Sequence, residues 1–242
     1  MRWGIFSDIH SNLEALEAVI KAYKAEGIDT YLCLGDVVGY GANPAECIQI
    51  TRDLARIIIA GNHDWATAGL FSLEYFNDWA RKAVLWTQEK IDLANRNFLA
   101  ALRLVYKNED LVMVHGSLNQ PEEFNYMTDF SEASKAFSLM KETICFIGHT
   151  HAVGVFIQDK QQRIDYQGKV GFKLQEKCRY IVNVGSVGQP RDGNNKASFC
   201  IFDTKKQTVV VKRVNYDIKS AQGKIIAAGL PSFLAARLAT GR

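Results

Sequence analysis

Five histidines carry the strongest chemical signal in this sequence, and all five share one placement. Asp8 and His10 follow an apolar run at residues 3–7, and Gly35-Asp36 follows one at 30–34. Gly61-Asn62-His63-Asp64 comes after a run at 56–60, His115-Gly116-Ser117 after 111–114, and Gly148-His149-Thr150-His151 after 144–147. Runs of that length read as buried strands, and loops at the carboxyl ends of strands in α/β sheets converge on one crevice. Each segment therefore delivers an oxygen or an imidazole to the same edge. Carboxylate, amide and imidazole together suit borderline divalent metals rather than thiolate-seeking ones. A single histidine would be read as an ordinary core or surface residue; five that obey one rule mark a site. In Asp8-Ile9-His10 and His149-Thr150-His151, alternate residues of an extended segment face one side, so both members of a pair can reach one place. Glycine beside Asp36, Asn62, His115 and His149 lets the chain turn sharply there.

The elements that must hold these groups alternate at first. Strands at 3–7, 30–34 and 56–60 enclose two helical patterns. Ser11-Asn12-Leu13-Glu14 reads as a capping box opening the first helix, which Gly27 closes, and Asn43-Pro44 opens a second that runs to about Leu54. Residues 65–105 form a helical insertion rich in aromatics, and two readings of it stand. Phe71, Tyr75, Phe76, Trp79 and Trp86 form a satellite core, or the insertion is a lid that touches substrate. After a short helix at 131–140 the chain turns β-rich, with runs at 153–158, 163–166, 169–174, 180–184, 197–202 and 208–214. The tail at 218–238 is helical and broken by Gly229-Leu230-Pro231. The pattern predicts one α/β (α+β) domain over residues 1–242, two sheets packed face to face with helices outside.

Composition narrows the function classes. At 48% hydrophobic and a formal charge of +3 over 242 residues, the chain is neither disordered nor marked by a nucleic-acid footprint. No apolar run reaches the ~18 residues of a membrane span, and Asp8 and His10 interrupt any signal-peptide core. The five cysteines show no paired spacing, which predicts free thiols and a cytoplasmic setting. Oligomeric state is left open.

Taken as a series, Asp8-x-His10, Gly35-Asp36, Gly61-Asn62-His63-Asp64, His115 and Gly148-His149-x-His151 resemble the signature of the calcineurin-like metallophosphoesterases, in order and completeness. Asn183-Val184-Gly185-Ser186-Val187-Gly188-Gln189-Pro190-Arg191 extends the likeness, which is nearest to the small bacterial and archaeal phosphoesterase branch. The resemblance implies a four-layered αββα sandwich of two mixed sheets. It also implies two divalent ions (Mn, Fe, Zn, Ni or Co, with manganese favoured). Asp8, His10 and His151 would bind one ion, Asn62, His115 and His149 the other, and Asp36 would bridge them. A water between the ions would lose its proton near neutral pH and attack phosphorus in line. His63 would protonate the leaving oxygen or neutralise phosphate charge, and Asp64 would orient the His63 ring.

Two departures bear on the substrate. Protein phosphatases and dinucleoside tetraphosphatases of the superfamily carry arginine four residues after the bridging aspartate, where this chain has Tyr40. An arginine fork grips a dianionic phosphate and tyrosine cannot. Asp64 stands where those enzymes have glutamate. Both departures favour a phosphodiester among small phosphorylated substrates, with a phosphomonoesterase, protein phosphatase or dinucleoside polyphosphate hydrolase as alternatives. Arg191 either reaches the phosphate or sits in solvent at a tight connection. A non-catalytic scaffold is disfavoured by the completeness of the ligand set, and a nuclease by a charge balance that shows no basic groove.

Overall fold

The computed structural model describes residues 1–242. Its elements in chain order are β1 (Arg2–Phe6), α1 (Leu13–Lys24), β2 (Thr30–Cys33), α2 (Pro44–Leu54), β3 (Ile57–Ile58), α3 (Asn62–Ala68), α4 (Asp78–Lys90) and α5 (Leu93–Ala100). There follow β4 (Val105–Lys107), β5 (Val112–Val114), α6 (Phe130–Leu139), β6 (Ile144–Ile147), β7 (Val153–Gln158), β8 (Ile164–Gln167) and β9 (Gly171–Lys173). β10 (Arg179–Val184), β11 (Ala197–Asp203), β12 (Thr208–Val214), α7 (Ile218–Ala227) and α8 (Ser232–Ala236) complete the chain. Two six-stranded mixed sheets result, in the orders β3-β2-β1-β11-β12-β9 and β4-β5-β6-β10-β7-β8.

Period-two alternation explains why four layers form. In β1, Ile5 enters the core between the sheets, while Phe6 points outward beneath α1 with Leu16 and Val19. In β6, Ile144 and Phe146 face that inner core, while Cys145 and Ile147 face outward toward Ala133 and Phe137 of α6. Every central strand is apolar on both faces because both are covered. The five cysteines are free, and Cys178 lies in the turn before β10 rather than in a strand. No helix is long and apolar enough to cross a membrane.

Local details correct three expectations. The first helix is capped by Asn12, whose side chain accepts the Ala15 amide at 3.1 Å, because Ser11 is held in the left-handed region at φ 54°. The helical insertion begins at Asn62, not residue 65, so the third strand runs directly into a helix. The insertion also divides its packing. Ile91, Leu99 and Leu102 join the helical layer over the first sheet, while Phe76, Ala80, Ala83 and Val84 form a separate cluster with Ile225, Leu230, Leu234 and Leu238 of the tail. Phe71 and Trp86 pack against that cluster, but Tyr75 is 78% exposed and Trp79 45%, so these two are not satellite core. Leu234 is 1% exposed, and Leu234→Ala is expected to cost about 2–5 kcal/mol. Urea unfolding checks this; a loss below ~1 kcal/mol would mean the tail does not share the fold's stability.

Candidate active site

All five ligand-bearing segments leave carboxyl ends of strands, with β1, β2 and β3 belonging to one sheet and β5 and β6 to the other. The site therefore straddles the seam of the sandwich. The expected extended geometry does not hold. Asp8 (φ 55°), His10 (50°), Asp36 (51°), His149 (65°) and His151 (60°) all lie in the left-handed region. Asp8 and His10 reach one ligand group, and His149 and His151 reach two adjoining ones, because the chain curls around them, not through alternation. Backbone straps hold the curls: the Asp8 amide donates to Gly35 O and the His10 amide to Asp36 O, both at 3.0 Å. The neighbouring glycines serve space as much as turning. A Cβ on Gly61 would enter the Asp36 carboxylate, and one on Gly148 the side chains of Ser7 and Asp8.

The ligand atoms fall into two groups, Asp8, His10, Asp36 and His151, and Asp36, His115 and His149, with Asp36 common to both. His10 Nε2 is 3.1 Å from His151 Nε2 and 3.5 Å from Asp36 Oδ2, and His151 Nε2 is 3.2 Å from Asp8 Oδ1. The tautomers are set from outside. His10 Nδ1 donates to Val38 O (3.0 Å), His115 Nδ1 to Leu34 O (2.7 Å) and His151 Nδ1 to Gln189 O (2.6 Å), so each Nε2 is turned inward. Asn62 Oδ1 and His115 Nε2 are buried without a hydrogen-bond partner. Bare, converging lone pairs and orphaned acceptors are what a divalent cation satisfies, so the residues fit the expected ions.

Beside this cluster a cavity of about 60 Å³ is lined by Asp36, Asn62, His149 and His151, and also by Tyr40, His63 and Arg191. Arg191 is thus a cleft residue rather than a solvent-exposed one. Its guanidinium lies 5.6 Å over the Tyr40 ring and donates to Gln189 Oε1 at 2.8 Å. The His63 ring is packed among Tyr40 (4.4 Å), His10 (4.8 Å) and Phe76 (4.9 Å). Asp64 does not orient it. The Asp64 carboxylate accepts the amides of Val37 (2.9 Å), Val38 (3.2 Å) and Gly61 (3.0 Å), and His63 Nδ1 has no partner. Consecutive helical residues diverge by about 100°, so a carboxylate at the third position turns back to the helix start while its neighbour faces the cleft. Asp64 braces the loop that carries Asp36.

Three contributors escaped the sequence reading. Tyr126 stacks on His149 with centroids 4.0 Å apart, Gln189 holds both His151 and Arg191, and Asn183 donates to Gly148 O at 2.7 Å and Thr150 Oγ1 at 2.9 Å. Asn183 and Gln189 lie inside the motif at 183–191, whereas nothing local marked Tyr126.

Burial opposes charge throughout the site, and the carboxylates decide which histidine resists it. Burial lowers His149 to about 3 and His63 to about 4. For His115, burial is outweighed by Asp36 and Asp8, which raise it to about 9. Without metal, His115 is therefore protonated at pH 7, whereas a ligand must be neutral. Loading at pH 7 is expected to expel about one proton from this ring, and metal affinity should rise with pH until it levels near 9. Calorimetry in buffers of differing ionisation enthalpy checks this; uptake with no proton release would mean that His115 is already neutral before the metal binds.

Comparison with known proteins agrees with this geometry. The calcineurin-like phosphoesterase superfamily domain matches residues 1–207. An uncharacterised protein of Methanocaldococcus jannaschii is 42% identical over 99% of this chain and 98% of its own length. A metallophosphoesterase from Sphaerobacter thermophilus superposes with a TM-score of 0.88 at 38% identity, covering 100% and 99% of the two chains. A hypothetical protein of Pyrococcus horikoshii OT3 shares the fold, with a TM-score of 0.79 at 20% identity over 100% and 98%. The chain belongs to the calcineurin-like phosphoesterase superfamily, a membership that implies hydrolysis of phosphate esters with divalent metal ions.

Proposed function

We propose that this protein is a dinuclear metal-dependent phosphoesterase that prefers phosphodiesters, acting on a small phosphorylated substrate in the cytoplasm. The observation that carries the reading is the pair of ligand groups joined at Asp36. Asp8, His10 and His151 would hold one ion and Asn62, His115 and His149 the other, with manganese the favoured metal. Such ions supply Lewis-acid stabilisation of phosphoryl oxygens and acidify water. Free, mostly buried thiols support a reducing compartment.

Around the ions the chain's own residues divide the work. Arg191 would bind one phosphoryl oxygen, held at the cleft by Gln189 and the face of Tyr40. No second fork stands at position 40 to take the further charge of a monoester, and this supports the diester preference. Burial keeps the His63 ring neutral, which favours an N–H donor to a phosphoryl oxygen over a source of a full proton.

With Mn²⁺ loaded, bis-p-nitrophenyl phosphate should exceed p-nitrophenyl phosphate by at least about tenfold in kcat/KM; the reverse order would overturn the diester reading. Asp36→Asn should drop the metal content below two ions per chain and abolish turnover, as read by metal analysis and rate together. His63→Ala should retain its metals and lose on the order of 10²–10³-fold in kcat, the range for one preorganised donor. That loss should be equal for nitrophenyl and alkyl leaving groups. A deficit that grows as the leaving group worsens would make His63 a general acid instead.

A further inference from the structure

Two tyrosines at the cavity mouth have no part in the chemistry above. Tyr75 and Tyr126 both line the cavity, yet they are 78% and 53% exposed. Each ring is stacked on one face only. Tyr75 lies on Phe71 with centroids 5.2 Å apart and planes at 28°, and Tyr126 lies on His149 at 4.0 Å and 18°. The stack fixes the direction of each ring and leaves the other face open. Large aromatic surfaces held in water are unfavourable, and rings already ordered lose little entropy when they engage a ligand.

We propose that Tyr75 and Tyr126 form a base-stacking platform, so that the ester handled at the adjoining site is a nucleoside phosphate. The inference rests on the phosphoesterase reading and names its substrate class. Tyr75 and Tyr126 line the same cavity as Asp36, Asn62, His149 and Arg191, so a planar group stacked on either ring lies a spacer's length from a phosphoryl group held there. A ribose links a base to phosphorus over that distance. Every nucleobase offers a π face, and stacking on an aromatic side chain changes affinity by about 5- to 150-fold.

Calorimetry on the Mn²⁺-loaded protein, with AMP, ribose 5-phosphate and phosphotyrosine as probes, tests the assignment. AMP should bind at least about fivefold more tightly than ribose 5-phosphate, which lacks only the base. Tyr75→Ala should bring that ratio close to one, and Tyr75→Phe should preserve it; at 78% exposure the side chain is not needed for folding. Equal binding of AMP and ribose 5-phosphate would overturn the platform and leave the phosphate site standing, as would a ratio unchanged in Tyr75→Ala. Tighter binding of phosphotyrosine than of AMP would overturn the nucleoside assignment. Binding of none of the three would overturn both readings together.

Discussion

Carboxylate oxygens and ring nitrogens of Asp8, His10, Asp36, His115 and His151 face one another across 3.1–3.8 Å inside the protein, and most of the surrounding structure exists to hold them there. Without a metal, only the proton on His115 offsets the crowding of these desolvated groups, so no segment would adopt the arrangement alone. Asp8, His10, Asp36, His149 and His151 also take left-handed backbone conformations, at a cost on the order of 1–3 kcal/mol each. The opposing forces come from outside the cluster. Carbonyls of Leu34, Val38 and Gln189 fix the rings, Asp64 gathers three amides of the Asp36 and Asn62 loops, and Asn183 ties down the loop of His149. Binding energy released by metal thus offsets strain that the scaffold already contains.

The scaffold can do this because every ligand loop leaves the end of an apolar strand. The core between the sheets contains Ile5, Leu32, Met113, Ile144 and Phe146, all buried and all one or a few residues before a ligand. The same burial that stabilises the sandwich sets the electrostatics of the cleft. It makes every neutral imidazole except His115 the favoured form, and so prepares the cluster for cations.

Much of this was legible from residue order. Apolar runs ending in Asp, Asn or His located the ligand segments, and the shift from alternating elements to a β-rich half anticipated two sheets. What stayed hidden was direction. Asp and His rarely occupy the left-handed region, so nothing in Asp8-Ile9-His10 announced that the chain would curl. Ser11 and Asn12 are equally good caps on paper, and only the strap from the Ser11 amide to Val37 O decides between them. Asp64 looked like a partner for His63 because it is adjacent, yet helical geometry separates neighbours. Among Tyr75, Phe76 and Trp79 the spacing could not say which ring the tail would cover, since the tail is more than 140 residues away in the chain.

β1, which carries Asp8, sits in mid-sheet between β2 and β11, pairing Ile5 with Leu32 on one side and with Cys200 on the other. The first of these partners is near in the chain and the second far along it. Until β11 docks, β1 is half-paired, and Asp8 lacks the amide of Gly188 that completes its surroundings. Sheets closed by such distant pairings fold slowly and expose strand edges meanwhile. The pocket is therefore complete only when the most distant of these pairings has closed.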